Sequence, residues 1–211
     1  ARASLLDGNL QISAAAFHNQ YDELQFLSTV SLGDGRFASL IDNIAQAEAT
    51  GFEIEFQATP FEGLNLMAGY SYLDAEYVNY ITPSGNDLSG HQTSRSPEHQ
   101  FFAQAAAHFP IGDGELELRS SISYTSSFFY EASNPAVFAQ SNDYATVDAS
   151  IGYETGDGRW RFTLWGRNIT DTTYRTHNIV IVINPNPLVA ASLDTYGRPA
   201  TFGGSVTFNF D

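Results

Sequence analysis

The sequence predicts an all-β chain whose antiparallel strands form part of a membrane-spanning barrel. Apolar residues recur at every second position, short and long connections alternate along the chain, and no apolar run suits a spanning helix. The densest short run, Ile179 to Ile183, has five residues, against the ~18–20 that a helix needs to cross a bilayer.

Nine strands are expected, at about 1–6, 10–31, 37–59, 64–76, 98–109, 115–128, 144–155, 159–169 and 198–210. The first stops at Asp7-Gly8. The second alternates clearly only at its start, from Leu10. In the third, Phe52, Ile54, Phe56 and Ala58 oppose Glu53, Glu55 and Gln57, whereas the residues before Gly51 resist phasing. The fourth sets Leu64, Leu66, Ala68, Tyr70 and Tyr72 against Asn65, Met67, Gly69 and Ser71. In the fifth, alanines between Phe101 and Phe109 blur the contrast. The sixth places Leu116, Leu118, Ile122 and Tyr124 opposite Glu117, Arg119, Ser121 and Ser123. The seventh opposes Val147, Ala149, Ile151 and Tyr153 to Asp148, Ser150 and Glu154, and the eighth opposes Trp160, Phe162 and Leu164 to Arg161, Thr163 and Trp165. The last sets Phe202, Val206, Phe208 and Phe210 against Thr201, Ser205, Thr207 and Asn209.

The connections supply the third dimension. Asp7-Gly8, Pro60 to Gly63, Gly112-Asp113-Gly114 and Gly156-Asp157-Gly158 are short and carry the residues that tolerate positive φ in tight hairpins. Tyr77 to Pro97, Phe129 to Asp143 and Thr170 to Gly197 are longer and polar, while Gly33-Asp34-Gly35 sits in a shorter link. Outer-membrane barrels show this alternation, with periplasmic turns short and external loops long. Backbone groups in lipid must all be paired, so only a closed sheet can span, with one apolar face outward on each strand. The 11 tyrosines and 16 phenylalanines suit interfacial girdles, with Tyr72, Tyr124 and Phe210 expected near the membrane edges. With nine strands, the first and last run the same way, so closing them on each other would make a parallel seam. The chain is therefore expected to be one portion of a larger barrel.

Composition narrows the function. The 43% hydrophobic and 14% aromatic content excludes a disordered chain. Nine Lys+Arg against 24 Asp+Glu give a net charge of -15, which disfavours nucleic acid as a partner. All nine basic residues are arginines, so Schiff-base and P-loop lysines are absent. The absence of cysteine removes disulfides, thiolate zinc sites and Cys nucleophiles. Ala1 to Asn9 has no signal-peptide pattern. No G-x-S-x-G elbow occurs, and the Gly-Asp-Gly triplets lack a calcium ladder. No enzyme, cofactor or metal site is expected.

Several segments resemble TonB-dependent outer-membrane receptors. Gly51 to Ala75, GFEIEFQATPFEGLNLMAGYSYLDA, is similar to their strand-turn-strand, where a G-hydrophobic-E run leads into G-Y-x-Y-x-D-A. Trp165-Gly166-Arg167-Asn168-Ile169-Thr170-Asp171 followed by Tyr174-Arg175 is similar to their late G-x-N-[LI]-T/F-D…Y segment. Arg198-Pro199 to Phe210 resembles their last strand, and Asp7 to Leu24 resembles a D-G-x-L…F…Y…L pattern. The resemblance implies that residues 1–211 are the C-terminal portion of a barrel of about 22 strands with a plugged lumen. The plug and the TonB box would lie outside this chain. It further implies TonB-energised uptake of a scarce solute such as a ferric siderophore. The partners would be outer-membrane lipid, the rest of the barrel with its plug, and the TonB complex. Asp211 departs from the family's usual aromatic terminus, leaving Phe208 and Phe210 as the expected barrel-assembly signal.

Two groups of candidate residues follow. Glu117, Arg119, Arg161, Trp165 and Arg167 are expected to face the lumen, where they could line a solute path or grip the plug. The plainer reading is that a hydrated wall needs polar side chains. Tyr77, Tyr80, His91, Phe129, Tyr130, Tyr174 and His177, in or beside the long loops, are candidates for solute contact, although rings among them equally fit the outer girdle. The histidines His91, His99 and His177 lack ligand spacing. Asn168-Ile169-Thr170 matches a glycosylation sequon, which is accidental in a bacterial barrel. Two rival architectures remain: a self-contained outer-membrane pore or enzyme barrel, and a secreted glycan-binding β-sandwich, whose strands are typically shorter than several here.

Overall fold

The computed structural model describes the backbone of residues 1–33, 36–82, 85–131, 140–185 and 188–210, and their side chains outside 26–40, 42, 44 and 180–190. Asp34-Gly35, the middle of the 129–143 loop and Asp211 therefore lie outside the described residues, as do the side chains of Val180 to Ile183.

The strands are β1 (Arg2–Leu5), β2 (Leu10–Gly33), β3 (Arg36–Phe61), β4 (Leu64–Tyr80), β5 (His99–Ile111), β6 (Gly114–Thr125), β7 (Phe128–Phe129), β8 (Gln140–Ser141), β9 (Tyr144–Glu154), β10 (Trp160–Arg167), β11 (Arg175–Pro185), β12 (Leu188–Tyr196) and β13 (Thr201–Phe208). Nine of them form one antiparallel sheet in the order β1-β2-β3-β4-β5-β6-β9-β10-β13. These are the nine expected strands, each paired with its chain neighbour in the sheet. The sheet is open, since β1 pairs only with β2 and β13 only with β10 among the described residues.

Two expectations need correction. Residues 170–197 are not merely a loop, because β11 and β12 pair as a separate hairpin from Arg175↔Tyr196 to Pro185↔Leu188. The sixth strand ends at Thr125 rather than 128, and Phe128 and Phe129 pair instead with Ser141 and Gln140 across the base of the next loop.

Register aligns the two faces row by row. Leu118, Ile151 and Leu164 are aligned across β6, β9 and β10, and Leu116, Tyr153, Phe162 and Val206 are aligned across β6 to β13. Leu164 and Val206 are 66% and 62% exposed, an arrangement suited to hydrocarbon and not to water. The opposite face carries Arg119, Ser150 and Trp165 in one row and Glu117 and Thr163 in another. No second sheet is stacked on the apolar face among the described residues, so the sandwich reading fails.

Aromatic clusters mark both ends of this apolar band. At the short-turn end, Trp160 lies 4.5 Å from Phe208, and Phe208 lies 4.7 Å from Phe210 at right angles. At the other end, Phe52 stands 5.8 Å from both Tyr70 and Tyr72, and the Tyr70 hydroxyl is 2.8 Å from His99 Nδ1.

Beyond the outer cluster the sides exchange polarity. The row Ala16–Phe52–Tyr72 is apolar outward, and the next outward row, His18–Thr50–Asp74, is polar. Above it, Gln20 donates to Glu48 at 2.9 Å and Gln46 to Asp22 at 2.9 Å. The inward side becomes apolar at the same level, with Ala45, Ala47, Tyr77, Tyr80 and Leu88 buried together beside Leu24. A strand that leaves lipid for water must turn its apolar side toward protein, which fixes the membrane boundary between these two rows.

Glycines thin the inner wall. Gly69 is aligned with Phe102 and Gly203 with Trp165, and each ring lies where a Cβ on its glycine would stand. Replacing Gly69 with Val is expected to lower stability by about 1–3 kcal/mol, because Phe102 must leave its place on the wall. Denaturant unfolding of the folded protein checks this. Pairing the substitution with Phe102→Ala should restore most of the loss.

Candidate functional site

The inner wall carries a chain of ion pairs near its short-turn end. Arg161 donates to Glu154 Oε2 through Nε at 2.8 Å and lies 2.7 Å from it through Nη2, and its Nη1 stands 4.0 Å from Glu117 Oε2. Glu117 also holds Arg119 Nε, and His108 Nδ1 is 2.9 Å from Glu115 Oε1. β6, β9 and β10 contribute the carboxylates and guanidiniums on their inward parity and β5 contributes His108, so the alternation that builds the lipid face also builds this network. Arg119 and Arg161 are about half exposed, and such pairs contribute about 0.2–1 kcal/mol each. Their chief effect is to fix the orientation of the charges. Farther outward, the Arg167 guanidinium sits 5.4 Å over the Trp165 ring. A concavity of about 310 Å³ opens there between Gln104, Arg119, Ser121, Asp148, Trp165 and Arg167. All five expected wall residues thus fall into two groups on one face, Glu117 with Arg119 and Arg161, and Trp165 with Arg167 beside Arg119.

The seven loop candidates separate by burial. Tyr77 and Tyr80 are 2% and 5% exposed, their rings 5.0 Å apart in the inward cluster. A register shift between Gln46 and Ala47 brings both onto one side, although strict alternation would oppose them. Their rings are therefore not offered to solvent. Tyr130 is likewise buried, its hydroxyl donating to the Arg175 carbonyl at 2.7 Å. Burial pushes the Tyr80 and Tyr130 hydroxyls above the ordinary tyrosine range. Phe129 and Tyr174 are half-buried, and Tyr174 stacks on Tyr144 at 4.6 Å. His91 and His177 are exposed.

Three residues that the sequence did not single out organise this end. Arg95 donates through Nη2 to His177 Nδ1 at 2.8 Å. Asp194 accepts from Asn178 at 2.6 Å and from Ser192 at 2.8 Å and lies 3.4 Å from Arg175 Nη1. The Asn178 and Ser192 hydrogen bonds, with Arg175 beside them, hold the Asp194 carboxyl below the usual carboxylate range. Asn168, read earlier as a motif position only, is buried with a left-handed φ of 47°. Its amide donates to the carbonyls of Thr172 and Arg198 at 2.9 and 3.0 Å. No group of side chains suited to a metal ion occurs among the described residues.

Comparison with known proteins agrees with this architecture. Over 158 residues the chain is 27% identical to the ferrichrome outer membrane transporter/phage receptor of Escherichia coli K12, covering 72% of this chain and 18% of that protein. The crystal structure of the ferric yersiniabactin uptake receptor FyuA of Yersinia pestis superposes with a TM-score of 0.79 at 17% identity, over 100% of this chain and 29% of that one. The ferripyoverdine receptor of Pseudomonas aeruginosa gives a TM-score of 0.66 at 19% identity, over 99% of this chain and 26% of that one. The chain thus spans well under a third of these relatives' lengths. The family model for the TonB dependent receptor-like β-barrel matches residues 1–169. With that match added to an apolar outer face, aromatic belts and a polar inner wall, the chain belongs to the TonB-dependent receptor β-barrel family, receptors of the bacterial outer membrane.

Proposed function

We propose that residues 1–211 form the C-terminal portion of the barrel of a receptor that imports a scarce solute, a ferric siderophore, with energy from TonB. The observation that carries this reading is the polarity of the wall. At one level of the sheet Leu118, Ile151 and Leu164 face outward while Arg119, Ser150 and Trp165 face inward. Such a wall separates lipid from a wet, charge-bearing path. The matched relatives named for ferrichrome, ferric yersiniabactin and ferripyoverdine support the class of solute.

In this reading Glu117, Arg119, Arg161, Trp165 and Arg167 border the plug and the path around it. His91, Phe129, Tyr174 and His177 present accessible surface to the solute, and Tyr77, Tyr80 and Tyr130 shape that surface from beneath. Phe208 and Phe210 serve as the assembly signal. The work is binding and gating, with no bond made or broken.

Growth tests the proposal directly. A strain lacking the gene is expected to lose growth on at least one ferric siderophore under iron limitation, and uptake of that labelled complex should vanish when TonB is deleted. Undiminished growth across a siderophore panel, or uptake that persists without TonB, would refute it.

A further inference from the structure

The outward face of the wall is not smooth near its short-turn end. Two outward rows, Tyr153–Phe162–Val206 and Ile151–Leu164–Gly204, bound a hollow of about 310 Å³ lined almost wholly by apolar atoms. Gly204 opens it, because the position aligned with Leu164 carries no side chain, and Leu164 leans to within 3.1 Å of where a Cβ would stand. The hollow begins one row inside the Trp160–Phe208 pair and ends at the next. From that pair to Gly204 is about 14 Å along the strand, or about 10 Å of depth at the usual tilt of a barrel, which stays within one half of an apolar band about 25 Å tall. The hollow therefore faces the leaflet on the short-turn side, which is built of glycerophospholipids. Its volume is about ten times the ~30 Å³ share of a water molecule, room for the upper part of one acyl chain and too little for a folded segment.

Polar groups collect at the mouth of the hollow. The Tyr153 ring runs toward the turns, and its hydroxyl lies where a Cβ on Gly114 would stand. Trp160 stacks on Phe162 with ring centres 6.1 Å apart. Neither the Tyr153 hydroxyl nor the Trp160 indole N–H has a hydrogen-bond partner among the described residues, and both stand at the level where such rings meet lipid head groups. The turns Gly112-Asp113-Gly114 and Gly156-Asp157-Gly158 pack together beside them, since a Cβ on Gly156 would meet the Asp113 carbonyl. Asp157 Oδ1 accepts from the Thr155 hydroxyl at 2.5 Å and from the Arg159 N–H at 3.1 Å. Asp113 is exposed, and its carboxylate has no partner among the described residues.

We propose that this hollow is a lipid-binding site, which seats one acyl chain of a phospholipid whose head group carries a primary ammonium, as phosphatidylethanolamine does. The tail gains packing against Ile151, Phe162 and Leu164 where a flat wall would offer fewer contacts. The Tyr153 hydroxyl and the Trp160 N–H donate to the ester or phosphate oxygens, and the ammonium pairs with Asp113. A phospholipid with an uncharged alcohol on its phosphate brings a net negative charge to the two turn aspartates and is disfavoured. A second copy of the chain pressed on this face would set the same aspartates against each other, which argues for lipid as the occupant. The site stands on the lipid-facing wall and is independent of which solute the receptor carries.

Photocrosslinking in the whole receptor tests the site. The receptor is placed in nanodiscs of mixed phosphatidylethanolamine and phosphatidylglycerol, with a diazirine on the acyl chain of one lipid or the other, and adducts are mapped by peptide mass spectrometry. The ethanolamine lipid should label Ile151, Phe162 and Leu164 about threefold more than the outward residues Leu66 and Phe109, a modest ratio because a tail leaves no water on entering the hollow. The glycerol lipid should label the hollow no more than those two residues. Gly204→Phe, which fills the hollow, should erase the enrichment and leave Leu66 and Phe109 unchanged. Asp113→Asn should keep the tail enrichment and remove the preference for ethanolamine. The native pattern decides the matter even where a variant fails to assemble. Even labelling along the wall, equal labelling of the hollow by both lipids, or crosslinks between receptor copies in place of lipid adducts there would overturn the site.

Discussion

Leu118→Arg is expected to abolish or severely reduce assembly into the outer membrane, while Ser121→Arg, three residues along the same strand, leaves it nearly unchanged. Leu118 projects from the outward face of β6, flanked in register by Ala107 and Ile151. An arginine there must expose its guanidinium to hydrocarbon or distort the strand to reach an interface, at a cost of about 2–4 kcal/mol near the bilayer midplane. Ser121 projects inward between Gln104 and Asp148, where a cation meets water and a carboxylate. Membrane fractionation, heat-modifiability on gels and urea unfolding in vesicles compare the pair. Equal tolerance, or greater damage at Ser121, would reverse the two faces and remove the basis of the import reading. The pair isolates direction, because both substitutions add the same side chain to the same strand.

Much of this wall was legible because lipid on one side and water on the other impose a strict period of two. The fourth, sixth, eighth and ninth strands therefore could be phased from Leu64, Leu116, Trp160 and Thr201 alone, and their register in the sheet agrees. The residues before Gly51 resisted phasing for a reason visible only in three dimensions. There the strand continues past the aromatic belt, and Ala49, Ala47 and Ala45 take the parity that Glu53 and Glu55 hold below. Periodicity is unbroken, but its meaning reverses at the boundary.

Other features were hidden for different reasons. The β11–β12 hairpin escaped because Ile179 to Ile183 is continuously apolar and Asn184-Pro185 reads as loop punctuation, so no alternation was present to detect. Tyr77 and Tyr80 looked like accessible rings, since nothing local announces the register shift that turns Tyr80 inward beside Tyr77. Arg95 could not be selected from nine arginines, because its partners lie in two other connecting segments. Local pattern reports the solvent on each side of a strand, whereas contacts between distant segments depend on where the sheet delivers them.

Asn168→Ala is expected to destabilise the outer end by about 2–4 kcal/mol while leaving the strands below intact. Asn168 closes β10 and begins the path to the hairpin, and its side chain works as donor and acceptor together. Nδ2 donates to the Thr172 and Arg198 carbonyls, and Oδ1 accepts from the Thr172 N–H at 3.0 Å. Its own N–H donates to Asp148 Oδ1 at 2.8 Å, which ties the turn to β9. Alanine would leave the Thr172 N–H without its acceptor in a part-buried turn, at about 1–3 kcal/mol, and would hold φ near 47° less readily than asparagine. The neighbouring Asp171 accepts from the Ala200 N–H at 2.8 Å, so the motif clasps both the entry and the exit of the 172–200 excursion. Hydrogen exchange should rise in β11 and β12 and stay unchanged in β5 and β6. Asn168→Gly, which keeps the left-handed backbone but loses the side chain, should reproduce most of the effect and so assign it to the hydrogen bonds. If β11 and β12 exchange no faster in either variant, the asparagine is not the clasp that holds the hairpin to the wall.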